Sequence, residues 1–171
     1  MAVIKIIDEC LAPDKFIHFD YSGPDPWGVA KKISESARGF FHLGASAFYF
    51  DRINWDISGD PVSFWGLWKC EIPTSRWSTI WIYIRVQGDK GKTNNVGKFT
   101  MRMNAEIITQ FEGWKLFLRP LYNLYSYLFY NKVKRRLLER CTGFVLGFRN
   151  EIKEHFNVQT TEIPSAQAEY G

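Results

Sequence analysis

The chain has 171 residues, a net charge of +4 and 46% hydrophobic residues, which is one domain's worth of sequence, long enough for a substantial core and too apolar for a disordered segment. So mild a charge lacks the dense basic face of a nucleic-acid domain and argues against that partner. Aromatic residues are the anomaly at 17%, with seven Trp and fourteen Phe, and rings in such number fill cores, wall cavities or make adhesive surfaces.

The first fifteen residues, MAVIKIIDECLAPDK, place acids where a secretion signal needs its small-residue cleavage site, so no leader is expected. Cys10, Cys70 and Cys141 are far apart and odd in number. They predict neither a disulfide framework nor a zinc site, and fit a reducing cytoplasm. No apolar run reaches the ~18 residues of a spanning helix, because Lys115, Arg119 and Pro120 interrupt the best candidate.

Ala2–Ile7 and Lys15–Tyr21 read as extended, and Ser22-Gly23-Pro24 ends the second run. Asp25 is expected as an N-cap with Pro26 at the first helical position. Trp27, Ala30, Ile33, Ala37 and Phe40 then recur at helical spacing, with Gly44 as the stop. The period next changes to two. "AFYFDRINWDI", "VSFWGLWKCEI", "RWSTIWIYIRV" and "KFTMRMNAEIITQF" are strands separated by turns and by the polar connector "GDKGKTNNVG". Ile80, Ile82, Ile84 and Val86 share one face of the third run, while Trp77, Trp81, Tyr83 and Arg85 share the other. Such alternation predicts an antiparallel meander with one covered and one wetter face.

From Tyr130 onward, Val133, Leu137, Leu138, Cys141, Phe144, Val145, Phe148, Ile152 and Phe156 fall with Tyr130 in an arc of about 140° on a helical wheel. Only Lys134 intrudes on that stripe. Gly143 and Gly147 fall on the outward face and promise no close approach to the sheet. Before Tyr130 the apolar stripe shifts to another side of the wheel, and Pro120 would kink a helix begun at Trp114.

This order of elements, carried by the strands over Ala47–Phe111 and the helix "NKVKRRLLERCTGFVLGFRNEIKEHF", resembles the START and Bet v 1-like helix-grip superfamily (SRPBCC, polyketide cyclase-like). The likeness is one of pattern over most of the chain, since that superfamily has no strict signature. It departs in showing four long strands after the first helix where six are usual, and two N-terminal strands where one is usual. The resemblance implies an α+β fold in which a curved antiparallel meander grips a long C-terminal helix, with a short N-terminal helical insert. One domain would cover residues 1–158, with 159–171 as a flexible tail.

The resemblance further implies a cavity between sheet and helix, open to a hydrophobic small molecule or lipid. Its wall would be Ile80, Ile82, Ile84, Phe99, Met101, Met103 and Ile107 from strands, and Tyr130, Val133, Leu137, Cys141, Phe144 and Phe148 from the helix. The competing reading is that these side chains simply fill the core. A cyclase- or hydrolase-type enzyme in the same cavity needs an inward ionisable group, and Lys134 with Tyr130 are the candidates.

No catalytic residue, cofactor or metal is implied by the remaining polar residues. "GDKGKT" lacks the first glycine of a phosphate-binding loop and precedes a strand. His18 and Asp20 share a strand face without a nucleophile nearby. His42, His155 and the unevenly spaced Asp51, Asp56 and Asp60 read as solvated, and Glu106 as remote from any cavity. The aromatic segment 114–129 and the basic Lys132, Lys134, Arg135 and Arg136 offer a third reading, a dimerising surface or one that docks on an anionic membrane. Trp65, Trp77, Trp81 and Tyr83 lie on the wetter sheet faces, where a homodimer or a covering N-terminal strand would bury them.

Overall fold

A computed structural model describes residues 4–111 and 131–158. Alternation governs the middle of the chain. Strands β3 (Phe48–Asp56), β4 (Val62–Pro73), β5 (Ser78–Lys90) and β6 (Val96–Phe111) pair each with the next, all antiparallel. The meander expected from sequence is therefore present. In β4, Val62, Phe64, Trp68, Cys70 and Ile72 are buried, as are Ile80 through Val86 at every second position of β5. Period-two burial of this kind requires one dry face and one wet one.

The N-terminal runs form β1 (Ile4–Glu9) and β2 (Ile17–Pro24). Both pair antiparallel with β6, β1 along its last third and β2 along its first half. They thus act as one interrupted strand, and the sheet has six strands. Because they lie beside β6 within the sheet, they do not cover its wet face. The covering N-terminal strand considered above is excluded.

Helix α1 (Gly28–Phe40) packs its Val29, Ala30, Ile33 and Ala37 stripe into the core. Its ends differ from expectation. Asp25 adopts φ 47°, and its carbonyl, not its side chain, accepts the Gly28 N–H at 3.0 Å; the first residue flanking the helix is Trp27, whose side chain makes no cap. The helix stops before Gly44, with His42 in the left-handed region at φ 54°. Hydrogen bonds from Phe41 and His42 back to Ala37 and Gly39 close the last turn there.

Helix α2 (Asn131–His155) has the expected length and stripe. Cys141, Val145, Phe148 and Ile152 are completely buried against the same sheet face as α1. The two helices touch through Phe40 with Phe148 and Phe41 with Phe144, and Lys32 pairs with Glu151 at 3.2 Å. The close approach at Gly147 is to α1 and not to the sheet: a Cβ there would meet the Phe40 ring at 3.0 Å, so its hydrogen lets α1 approach. None of the described helices is long and apolar enough to cross a membrane.

The cysteine expectation is overturned in part. Cys10 and Cys141 form a disulfide with their Cα atoms 5.9 Å apart, while Cys70 is free and buried. Around it, the Thr142 hydroxyl donates to the Cys10 carbonyl at 2.8 Å and Lys134 pairs with Asp8. Three adjacent ties thus hold the end of β1 to α2. Structural disulfides belong to oxidising environments, so cysteine usage no longer favours a reducing cytoplasm.

Glycines on the dry face make room for rings. A Cβ on Gly66 would strike the Trp68 indole at 2.6 Å, and one on Gly88 would strike the Phe64 ring at 2.6 Å and the Lys98 carbonyl. Because a backbone carbonyl cannot swing aside, Gly88→Ala should lower stability by about 1–3 kcal/mol. Urea unfolding checks this, and an unchanged midpoint would show that β5 and β6 yield without cost.

Candidate functional site

The side chains expected to wall an inner cavity occupy the dry face. Ile80, Ile82, Ile84, Met103, Cys141 and Phe148 have no accessible area, Met101 and Ile107 have 1% and Phe99 2%. A void able to hold even a water would present area on its lining atoms, so these residues are brought together as packed core. Leu137 and Phe144 are half-buried beside that core. Val133 is half-exposed, because the first turns of α2 lie short of the deepest packing. Tyr130, the segment 114–129 and the tail 159–171 lie outside the described residues. Lys134, needed inside by the enzyme reading, is instead paired with Asp8 of β1, while Lys132, Arg135 and Arg136 are exposed.

Open space lies on the other face of the sheet, where neither described helix packs. One groove, of about 890 Å³, is lined by Trp77, Thr79, Trp81 and Tyr83 of the β5 region, with Lys69, Glu71, Arg76, Glu106, Ile108, Gln110 and Lys5 around them. Register places these residues together: Trp81 sits opposite Glu71 and Glu106, and Tyr83 opposite Lys69 and Asn104. Rings of Tyr49, Trp81 and Tyr83 lie nearly parallel, with interplanar angles of 16° and 21° and centroids 6.3 and 6.5 Å apart. They form a tiled shelf.

Polar tips of the shelf are held in place. The Tyr83 hydroxyl donates to Glu106 at 2.8 Å and the Tyr49 hydroxyl to Glu71 at 3.1 Å. Partial burial, then the Glu106 hydrogen bond and charge, push the Tyr83 phenol up to about 12. The Tyr49 phenol is raised chiefly by its hydrogen bond to Glu71. Lys69 is drawn to Asp51 at 3.2 Å, and the Arg76 guanidinium lies over Trp77, 4.9 Å from the ring centroid. Glu106, expected to be remote from any cavity, therefore orients a ring in this one.

A second groove of about 840 Å³ continues across the same face toward the other ends of the strands, lined by Arg85, Gln87, Arg102, Thr100, Trp65, Asn54 and neighbours. Its acids are engaged by hydroxyls. Asp20 accepts from Thr100 at 2.6 Å, Asp89 from Ser63 at 2.7 Å, and Asp56 from Ser58, whose hydroxyl and then N–H lower the carboxyl below its usual range. Free Cys70 is on the opposite, dry face, where burial pushes its thiol up to about 12.

Sequence reasoning singled out Trp65, Trp77, Trp81 and Tyr83 but not the polar groups set around them. Alternation carried that signal: residues at the wet positions of β4 to β6 had to share one surface.

No family model matches the chain, and no curated protein does. Among solved structures, the chain is similar to a putative uncharacterized protein from Rhizobium leguminosarum, at 12% identity over 70% of this chain and 89% of that one, with a TM-score of 0.21. The Mll3558 protein from Rhizobium loti is 16% identical over 81% and 96% of the two chains, with a TM-score of 0.19. Likenesses this slight carry no argument about fold or function.

Proposed function

We propose that the chain is a non-enzymatic binding protein for a hydrophobic small molecule or lipid, and that it takes this ligand on the wet face of the sheet. The observation that carries the reading is the shelf of Tyr49, Trp81 and Tyr83, three nearly parallel rings beside a groove of about 890 Å³. The two tyrosines, whose hydroxyls are already bound to Glu71 and Glu106, flank Trp81 and present apolar faces to a ligand at little entropic cost. The helix-grip alternative, a ligand between sheet and helix, would need the core side chains named above to part.

The fluorescent apolar probe N-phenyl-1-naphthylamine separates the two locations. Trp81→Ala should weaken its binding about tenfold or more, while Met103→Leu, which nearly conserves core volume, should leave it unchanged. Far-UV circular dichroism confirms that each variant is folded. Binding that survives Trp81→Ala but changes with Met103→Leu would move the site to the core, and no binding by the parent protein would refute the reading.

A further inference from the structure

Arg85 of β5 and Arg102 of β6 are direct cross-strand partners on the wet face, both exposed. Directly opposed side chains have Cβ atoms about 5 Å apart, and like charges so placed are destabilising. Among the described residues neither guanidinium has an ion pair or hydrogen bond. The same cross-strand row holds His18 beyond Arg102 and Leu67 beyond Arg85, so no carboxylate neutralises it. Nearby Asp20 and Asp89 are turned to hydroxyls instead. Two opposed guanidinium forks with no acid between them are suited to one bridging oxyanion, which converts their repulsion into two charge-assisted hydrogen-bonded contacts.

Placement relative to the shelf is what gives the pair a purpose. Tyr83 and Arg85 are two residues apart on one face of β5, roughly 7 Å along the strand, so the apolar shelf of one groove runs directly into the cationic pair of the other. We infer that the ligand is an amphiphile: its apolar body lies on Trp81 and Tyr83, and its head is an oxyanion, a carboxylate or phosphate, held between Arg85 and Arg102. This rests on the proposed wet-face site and adds the chemical class of the ligand.

Two dyes of one skeleton test the head alone. 8-Anilinonaphthalene-1-sulfonate differs from N-phenyl-1-naphthylamine only by its sulfonate, a stand-in for the oxyanion. The parent protein should bind the sulfonate about tenfold more tightly than the neutral dye, and 0.5 M salt should shrink that preference. In the double variant Arg85→Gln, Arg102→Gln the ratio should fall to about one, with affinity for the neutral dye retained. Competition against the bound sulfonate dye by dodecanoate and by dodecyl phosphate, with dodecanol as the neutral control, identifies which oxyanion is preferred. Equal affinities for the two dyes in the parent, or a ratio unmoved by the double variant, would overturn the anionic head while leaving the shelf standing. Failure of both dyes to bind would remove the shelf and the head together.

Discussion

Reducing the Cys10–Cys141 bond should lower the free energy of unfolding by about 4 kcal/mol. The bond closes a loop with a sequence separation of 131, and a crosslink over so long a loop strips the unfolded chain of much of its conformational freedom in the chain-entropy account. Urea unfolding with and without a non-thiol reductant measures the difference, and the double variant Cys10→Ser, Cys141→Ser should match the reduced protein. Thiol counting gives an independent check. Unfolded without reductant, the chain should show one reactive thiol, Cys70; unfolded with reductant it should show all three. Three thiols in the unreduced, unfolded protein would mean that the bond does not form.

Trp68→Ala should cost about 3–5 kcal/mol, in the range of large aromatic deletions from a core. Trp68 has no accessible area, lies over Gly66, meets Phe50 edge-on and donates its indole N–H to the Ser34 hydroxyl of α1 at 3.1 Å. Truncation therefore empties a large volume where β3, β4 and α1 meet. Ser34→Ala separates the polar part. It should cost about 1 kcal/mol, since Ser34 lies at the surface and water can replace its hydroxyl. A Trp68→Ala loss no larger than that of Ser34→Ala would show that the surrounding side chains collapse into the vacated space.

Strands and helix α2 were legible because their burial is periodic. Alternation at Ile80, Ile82, Ile84 and Val86 and the stripe through Cys141, Val145, Phe148 and Ile152 can be read from spacing alone. The failures share a cause. Whether Cys10 meets Cys141 depends on how distant elements are placed, and Asp25 is tied by its N–H to the Asn95 carbonyl at 2.9 Å; periodicity encodes neither contact. The candidate site divides along the same line. Spacing tells which residues share a face, and the resemblance assigns the ligand to the dry face, where the strand side chains, Cys141 and Phe148 are buried. Wet-face Trp81 and Tyr83 were visible in sequence; the opposed Arg85 and Arg102 required the register of β5 on β6.

The pairing of Cys10 with Cys141 also orders events during synthesis. Cys70 emerges from the ribosome well before Cys141, so the first thiol that Cys10 could oxidise with is the wrong one. Strand β4 limits that error, because its hairpin with β3 sets Cys70 opposite Phe48 through short-range contacts that form early. Once the dry face is covered, burial leaves Cys70 little thiolate for exchange, and the completed fold holds Cys10 to Cys141 against a swap.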